Sequence, residues 1–257
     1  MDNDITFLPA KNHEYSIILL HGMNETNESL MKLTYKLERS YKNLKIILPN
    51  APRRDITWSN DWKNVNDWKN VNDWKNVNDW KNVNDWKNVN AWYNYFTRND
   101  GLMKHDEIDE ADFHIQVKRI NKIIDGEVKL LGGKSENIII GGFSQGGTIA
   151  LHVGLNYSKP IGCIIGIHTI LMDNVTCITD ECQKIPIYLF SGKKDQIYNI
   201  RLQNWSLKTL KKLKYEIIWE IERNLTHSEY SAHEYPFIIK AIKRVILKSE
   251  KVKKRKR

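Results

Sequence analysis

The sequence predicts an α/β domain in which a mainly parallel sheet is covered by helices on both faces. Three observations support this. Short apolar runs of strand length alternate with stretches of helical periodicity along most of the chain. One of these runs, Ile138-Ile139-Ile140, stops at the pentad Gly142-Phe143-Ser144-Gln145-Gly146 and passes straight into a helical stretch, Thr148 to Asn156. A chain of 257 residues, 41% of them apolar, can also bury one sizeable core, and no shift of composition announces a second.

In chain order, Tyr15 to Leu20 reads as a strand, Glu28 to Ser40 as a helix and Leu44 to Leu48 as a strand, followed by a long loop. A helix from Asp109 to Leu131 leads into the strand Asn137 to Gly141 and the helix behind the pentad. Three buried-type strands follow, Ile161 to Ile167, Ile185 to Ser191 and Tyr215 to Ile221, with a helix near Gln203 to Lys212 before the last. A helix from Ser228 to Leu247 closes a single domain spanning residues 1–247. Such alternation places chemistry at the carboxyl ends of the strands.

Between Asp61 and Asn90 the hexad Asp-Trp-Lys-Asn-Val-Asn occurs five times without a change. On a helix each six-residue step turns about 600°, so the tryptophans would spread over separate stripes and form no single apolar face. Identical copies fit recent duplication, and the segment 61–90 is expected to be a mobile surface insertion.

The net charge of +9 is concentrated at one end. Residues 243–257 hold nine Lys or Arg and one Glu, which leaves about +1 for the rest of the chain. Residues 248–257 are therefore expected to form a disordered basic tail able to touch an anionic membrane or serve as a nuclear-import patch; no specific nucleic-acid partner is implied. Cys163, Cys177 and Cys182 are odd in number and lack metal-ligand spacing, which fits a reducing compartment and gives no reason to expect zinc or another cofactor. The N-terminus is acidic and polar where a secretory signal would be basic and then apolar, so a cytoplasmic location, peripheral to membranes at most, is expected.

The pentad has the layout of a nucleophile elbow, in which glycines let the chain pass through a strained turn that holds Ser144 out of the sheet. A serine hydroxyl is a weak nucleophile at neutral pH and needs a base, which in turn needs an orienting carboxylate. On α/β-hydrolase scaffolds the acid and then the histidine follow the serine in the chain. Asp195 sits just past the strand ending at Ser191, whereas Asp173 and Asp180 lie in a less defined loop. Only His227 and His233 come after Asp195, and His227 falls in the loop before the last helix, with His233 expected inside it. The remaining histidines, including His13, His105, His114, His152 and His168, are expected to be packed or exposed. His21 ends the first clear strand in Leu-His-Gly-Met. There it reads as structural, with the backbone N–H groups of Met23 and Gln145 as candidate oxyanion donors.

Taken together, Leu-His-Gly at 20–22, Leu-Pro-Asn-Ala-Pro at 48–52, Ala-Trp-Tyr at 91–93, Gly-Gly-Phe-Ser-Gln-Gly-Gly at 141–147 and Thr-His-Ser at 226–228 resemble the acyl-protein thioesterase and lysophospholipase family of small α/β-hydrolases. The resemblance spans nearly the whole chain apart from the hexads and the basic tail. It implies a Ser144-His227-Asp195 triad and hydrolysis of fatty-acyl thioesters of S-acylated proteins or acyl esters of lysophospholipids. A carboxylesterase for short acyl esters, or an inactive scaffold that binds a partner or membrane, stands as the alternative. The resemblance also implies an apolar acyl groove, for which Ile170, Leu171, Met172 and Trp92 are candidates. Two departures from the family pattern stand out. The family's glycine-rich loop is here Met23-Asn24-Glu25-Thr26, where Asn is the residue best able to replace glycine at positive φ, and the usual Asp-Pro is Asp195-Gln196.

Overall fold

A computed structural model describes residues 4–57, 86–97, 106–171 and 184–255, with side chains as far as Ser249. Seven strands form one sheet in the order β1-β3-β2-β6-β7-β8-β9: β1 (Ile5–Phe7), β2 (Tyr15–Leu20), β3 (Leu44–Leu48), β6 (Ile138–Phe143), β7 (Cys163–Ile167), β8 (Pro186–Gly192) and β9 (Glu216–Glu222). All neighbours are parallel except β1, which runs antiparallel to β3 along the edge. Three residues are too few to carry a readable alternation, and the sequence reading places no strand before Tyr15. A separate two-stranded ribbon joins β4 (Arg53–Arg54) to β5 (Val89–Asn90).

The inner strands β2, β6, β7 and β8 are buried along nearly their whole length because both faces are covered, as a parallel sheet requires, whereas the edge strand β9 carries three glutamates. Ile17 and Leu19 point into one layer, with Leu37 of α1 (Met31–Ser40) and Phe237 and Ile242 of α5 (Glu234–Arg255). Ile18 and Leu20 point into the other, with Ile120 of α2 (Glu110–Leu130), Val153 of α3 (Ser144–Asn156) and Leu210 of α4 (Ile200–Lys212). Two helices start where a side chain satisfies free N–H groups: at α2 Asp109 accepts from the Asp112 N–H at 3.0 Å, and at α4 Asn199 accepts from Arg201 and Leu202 at 3.0 and 3.3 Å.

Three boundaries differ from expectation. The stretch expected to be helical from Glu28 opens as a 3-10 turn, Asn27–Leu30, before α1 begins. The last helix begins at Glu234, not Ser228, which leaves residues 228–233 as a loop with His233 just ahead of the helix. Its other end runs on to Arg255, so most of the segment 248–257, expected to be a disordered tail, continues α5.

The fifth hexad is not a surface insertion. Trp86 is buried in the core and its carbonyl accepts from the Ile56 N–H at 2.9 Å, while Val89 and Asn90 form β5 against β4. Burial of the indole contributes on the order of 3 kcal/mol. Hexads one to four and Asp85 of the fifth lie outside the described residues, as does Met172.

Candidate active site

The order of the strands reverses between β2 and β6, because β3 lies on one side of β2 and β6 on the other. The crevice at the carboxyl ends of such a pair is where ligands bind on open α/β sheets. Loops after β2, β6, β7, β8 and β9 all reach a cavity of about 780 Å³ there, lined among others by Gly22, Met23, Phe143, Ser144, Gln145, His168, Tyr198 and His227.

Ser144 opens α3 directly after β6 with φ at +49°, a left-handed conformation that a non-glycine residue adopts at a cost of about 1–3 kcal/mol. Sterics hold it there. A Cβ on Gly142 would lie 2.5 Å from the Gly146 carbonyl, and one on Gly146 would lie 2.3 Å from the His21 oxygen. Only bare backbone fits at both points, so the turn cannot relax into an ordinary loop without separating β2 from α3. Thr169 adds a brace, its hydroxyl donating to the Ser144 carbonyl at 2.9 Å.

The Ser144 Oγ lies 2.8 Å from His227 Nε2, and His227 Nδ1 lies 2.8 Å from Asp195 Oδ2. Asp195 is fully buried at its side chain. Its other oxygen, Oδ1, accepts from the N–H groups of Ile197 and Tyr198 at 2.9 and 2.7 Å, which anchors that oxygen and leaves Oδ2 facing the ring. The loops carrying the acid and the base are stitched together: Lys193 N–H donates to Glu222 O at 2.8 Å and Lys194 N–H to Leu225 O at 3.0 Å. Gln196, in the place of the family's proline, contributes a side-chain carbonyl 3.4 Å from the His227 N–H. Tyr198 stands edge-on to the His227 ring, centroids 5.3 Å apart.

His21 and Gln145 organise the opposite wall. The Ala51 N–H donates to His21 Nε2 at 2.9 Å, so the proton sits on Nδ1, which donates to the Gly22 carbonyl at 2.7 Å. Burial pushes the proton affinity of His21 below its ordinary value, in keeping with a neutral clamp between the loop after β2 and the Leu-Pro-Asn-Ala-Pro segment. The Gln145 side chain accepts from the Trp92 N–H and donates to the Tyr93 carbonyl, both at 2.8 Å. In the loop after β2, Gly22 N–H is taken by Glu25 Oε2 at 2.9 Å and Asn24 N–H by Asn90 O at 2.8 Å, which leaves the Met23 N–H between them. Asn24 holds φ at +61°, the conformation for which Asn substitutes for glycine. The Gln145 N–H lies in the first turn of α3, where amides lack intrahelical acceptors.

The apolar candidates fare differently. Ile170, Leu171 and Trp92 are buried in the core and do not line the cavity. Trp92 instead donates its indole N–H to the His21 carbonyl at 2.8 Å, as part of the scaffold. The apolar lining is Met23, Leu30, Leu33, Phe143, Ile197 and Ile238. Spacing could not reveal it, because Leu30 ends the 3-10 turn before α1, Leu33 lies on α1 and Ile238 on α5, elements that meet only in the folded chain. His168, expected to be an ordinary packed histidine, lines the cavity beside the His227 ring at 6.1 Å.

A family model described as Phospholipase/Carboxylesterase matches residues 76–246. The chain belongs to that family. This phospholipase/carboxylesterase family member has the α/β-hydrolase fold and is a serine hydrolase of the thioesterase or esterase kind. It is similar to the protein named acyl-protein thioesterase 1 from Gibberella zeae, 26% identical over 231 residues that cover 87% of this chain and 88% of the relative. The protein of the same name from Schizosaccharomyces pombe is 28% identical over 214 residues, covering 81% and 80%. Among solved structures, Arabidopsis thaliana SOBER1 shares the fold with a TM-score of 0.68 at 21% identity, covering 90% of this chain and 99% of its own. Zea mays acyl-protein thioesterase 2 does so with a TM-score of 0.69 at 17% identity, covering 95% and 99%.

Proposed function

We propose that this hydrolase cleaves fatty-acyl thioesters of S-acylated proteins, and acyl esters of lysophospholipids, through an acyl-enzyme on Ser144. The observation that carries the reading is the unbroken relay from Ser144 Oγ through both nitrogens of His227 to Asp195, at the wall of a cavity large enough for an acyl chain. The names of the two fungal relatives support the thioester class.

With Asp195 facing Nδ1, the His227 proton resides there and Nε2 is left as the acceptor for the serine hydroxyl. His227 takes that proton as Ser144 Oγ attacks the acyl carbonyl, and Asp195 stabilises the imidazolium formed. The N–H groups of Met23 and Gln145 hold the oxyanion, each donor contributing about 2.7–4 kcal/mol in the transition state. A thiol leaving group, with pKa about 8.5, departs as thiolate with little acid assistance, whereas an oxygen ester draws on His227 as general acid. The departed thiolate or alkoxide carries off the proton held by His227, so the base is free again when water enters; His227 takes a proton from that water and returns it to Ser144 Oγ as the serine ester breaks, which frees the fatty acid and restores the enzyme.

One observation favours a second reading, a carboxylesterase for short acyl esters. Tyr95 and Tyr198 line the cavity with hydroxyls bonded to each other at 2.9 Å, and Tyr93 joins them at 3.3 Å. Burial raises the proton affinity of all three phenols, so they stay neutral and place polar atoms along the wall. Turnover of an acyl series from acetyl to palmitoyl, as thioesters and as oxygen esters, decides between the two. The thioesterase reading expects kcat/KM to rise or hold with chain length; a steep fall beyond short chains selects the esterase.

A further inference from the structure

We propose that His168 is a positioning residue for Asp195, bridging it to Glu234 and so coupling the loop ahead of α5 to the triad acid. The inference rests on the proposed roles of Ser144, His227 and Asp195. His168 follows β7 and holds φ at +47°, a conformation in which a histidine is strained and a glycine would not be. Its N–H is pinned to the Phe190 carbonyl at 2.8 Å, which fixes the ring at the carboxyl ends of β7 and β8.

From there each ring nitrogen faces a carboxylate. Nε2 lies 3.2 Å from Glu234 Oε1, and Nδ1 lies 3.9 Å from Asp195 Oδ2, the oxygen that also receives His227. Nδ1 is buried and makes no hydrogen bond. The three side chains are 6%, 0% and 8% exposed, so the cluster holds two carboxylates in a site nearly closed to water. Unscreened carboxylates repel strongly in such surroundings, and the imidazole stands between them, hydrogen-bonded to Glu234 through Nε2 and in ion-pair reach of Asp195 through Nδ1. The neutral ring would leave one carboxylate opposite a lone pair. The other groups around the ring are His227, the Phe190 edge, and Glu222 on β9, whose carboxyl is held below the usual range chiefly by the Ser231 hydroxyl, with His233 and His168 adding to it. Glu234 is itself fixed by the Ser231 N–H at 2.8 Å, which carries the coupling into the loop 228–233 that walls the cavity.

A proton placed on His168 between the two carboxylates would lie beside the His227 ring, 6.1 Å away, and oppose a second charge there. His168 also holds Asp195 Oδ2 between two rings. The consequence is testable in the full chain through the pH profile of kcat/KM. For His168→Gln we expect the acid limb to move upward by about 0.5–1 pH unit. At neutral pH kcat should fall up to about tenfold with KM unchanged. His168→Gly should show the same limb shift; it relaxes the positive φ but empties the place of the ring, so a shift shared by two variants that pack differently separates positioning from packing. Glu234→Gln should move the limb in the same direction by less, and the double variant His168→Gln/Glu234→Gln should move it no further than His168→Gln alone. A native acid limb and kcat in folded His168→Gln and His168→Gly overturn the proposal, as do fully additive shifts in the double variant. Activity surviving in Ser144→Ala would instead sink the proposed function, whatever the limb does.

Discussion

Two places in this molecule bring a serine hydroxyl within 2.8 Å of a histidine Nε2 beside a carboxylate, and they are built to opposite ends. At the carboxyl edge of the sheet the order is Ser144, His227, Asp195, with the carboxylate on the far side of the ring. Near the amino ends of the strands His13 Nε2 lies 2.8 Å from Ser16 Oγ, but the hydroxyl donates straight to Glu127 Oε2 at 2.7 Å. Ser16 having given its only proton to Glu127, His13 must donate to the serine oxygen through Nε2, the reverse tautomer of a base. Lys45 at 2.6 Å then neutralises Glu127, and Ser16 is wholly buried near the start of β2, away from the cavity that Ser144 lines. The three residue types are the same or equivalent; the direction of the hydrogen bonds, the strained turn and the open space are what differ.

The largest test of that difference is to remove each hydroxyl. Ser144→Ala should lower turnover by about 10⁶ and abolish labelling by a fluorophosphonate probe, while Ser16→Ala should leave both as they were. Labelling that survives in the first variant would show that the nucleophile lies elsewhere. The carboxylates should separate next. Asp195→Asn keeps the shape but favours the wrong tautomer of His227, and kcat should drop by about 10⁴ with little change in the thermal midpoint. Glu127→Ala should do the converse. It strands Lys45 and unpairs Ser16, costing about 3 kcal/mol of stability by urea denaturation with kcat intact. A loss of kcat with Glu127→Ala in folded protein would mean that the lower cluster feeds the site after all.

The same contrast explains what could be read from the chain beforehand. Ser144 announces itself because its glycines are steric necessities within five residues, and Asp195 and His227 because each follows a strand in a fixed order. Strand positions and the helices behind them were legible for a similar reason: apolar periodicity is local. The cavity wall was not, since Leu33 and Ile238 belong to helices separated by most of the chain, and place after a strand, for Ile170 and Leu171, or family resemblance, for Trp92, pointed to residues that the fold buries elsewhere. Nor could the hexad reveal that its fifth copy is structural. All five copies have one sequence, yet the copy adjoining Ala91 pairs with β4 and buries its tryptophan, which the repeat itself does not encode. Deleting residues 61–84 keeps that copy, and the shortened chain should retain full kcat/KM and its thermal midpoint. His168 carried no pattern at all, because what marks it is the pair of carboxylates that the fold brings to its two nitrogens.

The smallest expected effects concern histidines that refuse a proton instead of accepting one. Burial pushes His152 down to about 4, with His114 adding to it, and burial likewise lowers His13 against the opposing pull of Glu127. In the unfolded chain both rings take up a proton near pH 6.5, whereas in the folded protein they resist until the pH is lower. The unfolded state therefore binds more protons in that window, so stability is fully present above about pH 6.5 and declines as pH falls through it. For His152 the decline ends near pH 4 and amounts to about 3 kcal/mol. Urea midpoints taken at about pH 7 and about pH 4.5 should accordingly differ less in His152→Leu than in the native chain, and slightly less in His13→Gln. Catalysis at neutral pH should be unaffected in both, because neither ring reaches the cavity. An undiminished difference in His152→Leu would mean that its ring is already protonated or hydrated in the native state. The sharp line between a histidine that relays a proton and histidines that exclude one would then have to be drawn elsewhere.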